Sequence, residues 1–354
     1  MPARTQPTTA AARDVALLSP DDPRWLEFAA GHPEATPFHH PAWAAALADA
    51  YGFTAGALAL RDGAARTRAL LPLMRVGRGR RRRAVALPFT DSLGPLAEAG
   101  LDPAELAERL GRARIELGLG PLEVRDALPG DAGERTPVGY RHVLPLGPGE
   151  DRVRAGFHRS RVERKLRRAE REELELRISG EREELLEAFL PLHVATRRRL
   201  GVPVQPRRFF DALHERVLSR GLGFVASAHR DGEPVAAAVY LAWNGRLVYK
   251  FSAAERRHGD LGAAQAVVWE AIRWGCANGF AELDFGRTEE DHEGLRTFKR
   301  SWGATEIALA YTSLGPAPAR AGSGRAAELL GAVLRRSPEL LTRAVGRVAY
   351  RYTA

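Results

Sequence analysis

Apolar and polar positions fall into the same order twice along this chain. Residues 41–51 carry a helical pattern that ends at Gly52-Phe53 and passes into a strand, the turn Arg61-Asp62-Gly63 and a strand over 69–76. Residues 209–220 carry another helical pattern. It ends at Gly223-Phe224 and passes into a strand, the turn Arg230-Asp231-Gly232 and a strand over 235–242. Asp-Gly accepts the positive φ angles of a tight hairpin, so both turns have a conformational cause. The turns stand 169 residues apart and the Phe residues 171 apart, so the shared order predicts an internal structural duplication.

The second copy continues legibly. Asn244-Gly245 marks another hairpin, and 246–252 reads as a third antiparallel strand. A loop rich in charge and glycine covers 253–262. Leu261, Ala264, Val268, Ile272 and Gly275 then share one stripe at helical spacing, and Asn278-Gly279 stops that helix. Residues 281–285 alternate like a strand, 293–300 suit a short helix, and 306–313 suit a last strand. Between the copies, the Gly/Pro-rich stretch 129–150 encloses a short strand at 140–146 that would close the first half. A basic helix over about 159–172 opens the second.

Length fits this picture. A chain of 354 residues is too long for one ordinary domain. The expected division is a first domain over 15–148, a second over 149–315 and a tail over 316–354. At 45% hydrophobic and 27% charged residues, wholesale disorder is excluded. A single cysteine, Cys276, excludes an internal disulfide framework and any multi-cysteine metal site. No signal-peptide core is present, nor the ~20 uninterrupted apolar residues of a membrane span, so a cytoplasmic location is expected.

Charge changes the picture at the tail. The net charge is +9, and residues 316–354 contribute seven arginines against two glutamates. The tail reads as two amphipathic helices broken near Pro338. Its expected roles are packing on the body or peripheral contact with an anionic membrane on the inner face. Three basic runs remain in the body, at 75–83, 152–168 and 197–208, each a solvated face or a site for an anionic partner. Only three basic residues are lysines, namely Lys165, Lys250 and Lys299, which makes each one notable.

The order helix, three-strand meander, helix, strand, helix, strand resembles the GNAT acyltransferase fold. Leu283-Asp284-Phe285-Gly286-Arg287, followed by Gly294-Leu295-x-x-Phe298-Lys299-x-x-Trp302-Gly303-Ala304, resembles the closing motif of the FemAB-like acyltransferases. Further matches are Pro37-Phe38-x-x-Pro41-x-Trp43, Arg161-x-x-x-Lys165-x-Arg167-Arg168-Ala169, Tyr249-Lys250-Phe251-Ser252 and 334–340. The resemblance implies an α+β protein of two tandem GNAT-like domains, each a mixed, mostly antiparallel sheet flanked by helices, with a helical tail. It implies amide formation, in which an amine attacks an activated acyl carbonyl. The donor would be aminoacyl-tRNA or acyl-CoA, with no metal. The acceptor would be a small-molecule or lipid-linked amine of the cell envelope, or a polysaccharide. The chemistry falls in the second half, and the first binds the acceptor or is structural.

The resemblance also implies site residues. Lys299 would stabilise the anionic tetrahedral intermediate, as the matching lysine is thought to do in aminoacyl-transferring relatives. Its alternative is a surface lysine. Asp284, on the polar face of its strand, would take the amine proton or orient the acceptor, or else hold the following loop or Arg287. Arg287 would bind acceptor phosphate or carboxylate, or pair with Glu289 or Glu290, and Tyr249 would join it at the acceptor. Ser252, Arg256, Gly259, Gly262 and Phe298 would hold the donor. Here the chain departs from simple acetyltransferases. Arg256-x-x-Gly259 fits a pyrophosphate loop, but Leu261 stands where a small residue is expected and Asp260 opposes phosphate. Two other readings compete: an acyl-CoA-dependent acetyltransferase for a small-molecule or sugar amine, and a non-catalytic module that holds RNA or lipid on a degenerate scaffold. The second gains if Lys299 and Asp284 face solvent on opposite sides.

Overall fold

The computed structural model describes residues 14–77, 79 and 82–316. The helices expected in the tail lie outside the described residues. The first half begins with β1 (Val15–Leu18), α1 (Pro23–Ala30) and α2 (Pro41–Tyr51). α2 starts at Pro41, whose fixed φ suits a first helical turn, and His40 Nδ1 accepts the Ala42 N–H at 3.1 Å. The half continues with β2 (Thr54–Arg61), β3 (Thr67–Val76), β4 (Arg83–Val85), β5 (Leu96–Ala97), α3 (Pro103–Glu116), β6 (Leu122–Val124) and β7 (Glu134–Pro145). The second half holds α4 (Glu150–Ala155), a π-helical turn at Arg159–Glu163, α5 (Arg164–Arg171), β8 (Glu175–Ser179) and a π-helical turn at Glu184–Phe189. These lead to α6 (Leu190–Leu200), α7 (Arg207–Arg216), β9 (Gly223–Arg230), β10 (Glu233–Trp243), β11 (Arg246–Ala254), α8 (Ala263–Ala277), β12 (Glu282–Thr288), α9 (Glu293–Arg300) and β13 (Thr305–Leu314).

The two halves repeat one plan. Each runs through an antiparallel meander, then a helix, then a strand parallel to the last of the meander: β4 with β6 in the first half, β11 with β12 in the second. All these strands join in one sheet of order β1-β2-β3-β4-β6-β13-β7-β12-β11-β10-β9-β8, with β5 beside β3. The last strand of each half has crossed to the other. β13 pairs with β6, and β7 pairs with β12. The strand expected to close the first half is therefore longer than 140–146 and completes the sheet of the second.

Burial follows the pleat of β10. Val239 and Leu241 face a core shared by both halves, while Ala238, Tyr240 and Ala242 face a second core under α8. The stripe expected on α8 is buried except at Ala264, which is exposed. The shared core is welded by aromatic rings. Trp43 and Tyr51 of α2 meet Phe209 of α7 at 6.3 and 5.9 Å between ring centres. No helix among the described residues is long and apolar enough to cross a membrane.

Candidate active site

The site lies where β11 and β12 part. They pair only over residues 246–248 and 282–284, after which β11 follows β10 and β12 follows β7. Both strands are irregular at the parting. β11 places Tyr249 and Phe251 opposite Tyr240 and Val239, which leaves Lys250 as the extra residue of a bulge. β12 slips against β7 between Asp284 and Arg287. Bulges re-aim side chains, and here they turn two strands' worth of polar groups into one place. Gly286 makes the second bulge possible. Its φ is 71°, and a Cβ there would stand 2.8 Å from the Asp91 carboxylate.

Asp284 and Lys299 meet across this glycine. Asp284 Oδ1 accepts the Gly286 N–H at 2.7 Å, and Lys299 Nζ donates to the carbonyls of Gly286 at 2.8 Å and Arg287 at 3.2 Å. Lys299 is only 3% exposed and Asp284 9%, so the surface-lysine alternative is excluded. Burial pushes the Asp284 carboxyl up to about 6, against the nearby Arg141 guanidinium, 3.6 Å away, and the Gly286 N–H. Burial pushes the Lys299 ammonium down to about 8, against the pull of Asp91 and Asp284. An ammonium has three donors, so two carbonyls leave Lys299 one N–H. α9 is set in place by its neighbours on β13 and β7. Arg296 grips Glu306 at 3.0 and 2.6 Å, and buried His142 reaches the same carboxylate at 2.9 Å.

The first half supplies the other wall. Asp91 lies on the loop 86–92, where Leu87 and Phe89 hold φ values of 47° and 61°, unusual for residues with side chains. Four groups hold this loop. Lys250 Nζ donates to Phe89 O at 2.6 Å and lies 3.5 Å from the Asp91 carboxylate. Trp43 Nε1 bonds Thr90 Oγ1 at 3.0 Å, Tyr311 bonds Asp91 O at 2.7 Å, and Arg125 bonds Thr90 O. The Lys250 ammonium also lies 5.3–5.6 Å from the rings of Phe38, Trp43 and Phe251. Burial pushes it below the ordinary lysine value. Strain at non-glycine residues persists only where surroundings over-determine it, and such places cluster at functional sites.

The remaining expected residues divide. Arg287 donates to Val138 O at 3.0 Å and to Glu289 at 3.3 Å, so the ion-pair alternative describes it in this state. The Tyr249 ring packs 5.5 and 5.7 Å from Tyr240 and Phe285, and burial pushes its hydroxyl up to about 12. Phe298 packs edge-on to Trp302 at 6.2 Å, on the inner side of α9. Ser252, Arg256 and Gly259 are exposed along the strand and loop that lead from Lys250 to α8. Gly262 caps α8 at φ 78°, and a Cβ there would strike Lys165 O at 2.2 Å. Basic helix α5 thus lies against the expected donor loop, and Lys165 Nζ reaches Gly259 O at 3.4 Å. An apolar hollow lined by Pro37, His40, Trp43, Leu222, Leu241 and Trp243 shares only Trp43 with the surroundings of Lys250. It touches none of the site carboxylates, so the reactive cluster is the better guide.

A buried carboxyl and a buried ammonium thus lie where two parallel strands part, beside the loop that precedes α8. Residues 156–300 match the family model described as an acetyltransferase (GNAT) domain. The match assigns a GNAT acetyltransferase domain to residues 156–300, and the fold of the chain agrees with it. Its architecture is similar to that of FemX, with a TM-score of 0.68 over 85% of this chain and 97% of that one at 14% identity. L-PGS from Bacillus licheniformis gives 0.56 at 15% identity, covering 90% of this chain and 99% of that one. A tandem GNAT protein from the clavulanic acid biosynthesis pathway gives 0.50 at 16% identity, covering 86% and 99%. No curated protein matches the sequence.

Sequence reasoning missed Asp91, Arg141 and the site role of Lys250. The scarcity of lysine was a signal for Lys250. Thr90-Asp91-Ser92 carries no pattern that sets it apart from an ordinary polar loop.

Proposed function

We propose that this protein is an N-acyltransferase that forms an amide on an amine of a cell-envelope precursor or polysaccharide, by direct attack of the amine on an activated acyl donor. One observation carries the reading: a buried carboxylate and a buried ammonium, each displaced toward neutral pH, share Gly286 where β11 and β12 part. Asp284, ionised above about 6, accepts the proton released by the attacking amine. Lys299, charged below about 8, offers its remaining N–H to the oxyanion of the tetrahedral intermediate. That intermediate collapses with loss of the donor's leaving group. The loop from Arg256 to Gly262 and the N-terminus of α8 face the donor's phosphates.

Asp91 and loop 86–92 form the acceptor side, which gives the first half a role in binding. Both donors fit this arrangement. The exposed Arg256 and neighbouring α5 suit either the pyrophosphate of an acyl-CoA or the backbone of a charged tRNA. A similar structure from Agrobacterium fabrum, with a TM-score of 0.54 and 13% identity, is described as the C-terminal domain of a putative lysylphosphatidylglycerol synthetase. That name favours a lipid-linked acceptor. Purified protein supplied with labelled acyl-CoA, and separately with charged tRNA, distinguishes the donors. Acceptor-dependent CoA release or deacylation from one of them is expected. Neither above background across amine acceptors would overturn the reading.

A further inference from the structure

We propose that the tip formed by the last turn of α6 and the first turn of α7 docks the protein on an anionic lipid surface. Of the basic runs in the body, 152–168 is neutralised only in part, and Arg152, Arg159, Arg161, Arg164 and Lys165 have no acidic partner among the described residues. Arg154 pairs with Glu163 and Glu170, and Arg168 pairs with Glu172. The run 197–208 is built differently. Arg197 turns inward and ties the connecting loop through Pro203 O at 3.0 and 2.8 Å. Arg207 has Asp211 at 3.6 Å. Arg198, Arg199 and Arg208 are exposed and have no acidic partner among the described residues.

The helix dipole favours Arg198 and Arg199 in the last turn of α6 but does not account for the charge on α7. Arg207 and Arg208 open α7, where the helix dipole is positive and a cation is unfavourable. Leu200 follows Arg198 and Arg199 as the last residue of α6 and is 57% exposed. The tip is also tied back onto the body. Gly201 caps α6 at φ 70°, and His193 bonds Gln205 at 2.8 Å across the loop. Exposed arginines next to an exposed leucine match the two layers of a membrane surface, anionic headgroups above and acyl chains beneath. A nucleic acid would reward the arginines and leave Leu200 in water. The tip is anchored on the strand that carries Lys250, with His193 and Phe209 at 5.6 and 5.8 Å from Phe251. A protein docked here holds a fixed orientation of its site toward the membrane, whichever donor it uses.

Vesicle flotation tests this without any activity assay. The full chain is mixed with vesicles of phosphatidylcholine alone or with added phosphatidylglycerol, at low and high salt. Wild type is expected to float with the anionic vesicles and to be released by salt. Arg198→Gln/Arg199→Gln/Arg208→Gln is expected to lower partitioning about a hundredfold, since each basic residue near such a surface contributes roughly 1 kcal/mol. Leu200→Ser is expected to lower it by up to about tenfold. Both variants change only exposed side chains, and unchanged circular dichroism and Tm confirm that they fold. Three outcomes overturn the proposal: no flotation of wild type, equal flotation of the triple variant, or displacement of wild type from the vesicles by duplex RNA.

Discussion

Replacing Asp284 with Asn separates a catalytic carboxylate from a structural one, because the two roles predict opposite changes in stability. Asn keeps an oxygen for the Gly286 N–H at the same distance and imitates the protonated acid. In the folded protein the carboxyl is pushed up to about 6 by burial, from an ordinary 3.8. The folded state therefore holds the proton more tightly than the unfolded chain. Stability falls as pH rises between these two values and stays low above 6. The penalty for the ionised form is about 3 kcal/mol at neutral pH. Asp284→Asn should thus match wild type below pH 4 and exceed it by up to about 3 kcal/mol above pH 6, a rise of several degrees in Tm. Turnover should move the other way, falling by about 10²–10⁴-fold. Wild-type kcat/KM should be bell-shaped, losing its base below about 6 and its cation above about 8. In the variant the acid limb disappears and the alkaline limb moves down, because Lys299 loses one of the two carboxylates that favour its charge. Differential scanning calorimetry and donor consumption across pH 5–9 measure both arms. A variant less stable than wild type at pH 8, or one that retains a tenth of wild-type turnover, refutes the assignment.

Three further outcomes follow from the same cluster. Lys299→Ala should lower turnover by about 10²-fold or more while the fold survives, read by donor consumption beside a thermal melt. Gly286→Ala places a Cβ 2.8 Å from the Asp91 carboxylate at φ 71°, so a cost of at least about 1–2 kcal/mol in denaturant unfolding and loss of turnover are both expected. Lys250→Met keeps an unbranched apolar stem, one atom shorter, but leaves Phe89 O without its donor; hydrogen exchange over residues 86–92 should rise while the body of the sheet stays protected.

What the sequence revealed, and what it hid, follows from the range of each interaction. The Asp-Gly turns, the α8 stripe and the strand 281–285 are set by neighbours in sequence, so the second half was readable almost element by element. Lys299 and Asp284 were legible because the resemblance covered their motif, and scarcity of lysine drew attention to Lys299. Asp91 was not, since what places it is a set of contacts from residues 43, 125, 250 and 311. For Arg287 the sequence leaves acceptor binding and an ion pair with Glu289 or Glu290 both open, and the carbonyl partner on β7 that fixes its side chain is distant in sequence. The exchange of β7 and β13 was hidden for the same reason. An alternating strand specifies which face is buried, and says nothing about which edge it joins.

That exchange bears on whether 15–148 and 149–315 are independent domains. The expected boundary runs between β7 and α4, yet β7 fills the place between β12 and β13. A second half cut at residue 149 would lose the strand that pairs with β12 through Tyr140 and Arg141 and with β13 along most of its length. β12 and β13 would each present an open hydrogen-bonding edge at the centre of the sheet, and buried Lys299 would lose the β7 backing of its helix. Exposed central edges recruit other chains. We therefore propose that the two halves are one folding unit despite their repeated plan. Residues 149–354 expressed alone should aggregate or melt without a cooperative transition. Co-expression with residues 1–148 should restore a soluble one-to-one complex, because β7 and β13 can still exchange between separate chains. A cooperative, monomeric transition in 149–354 alone would show that the strand exchange decorates two self-sufficient domains and contributes little to holding the site together.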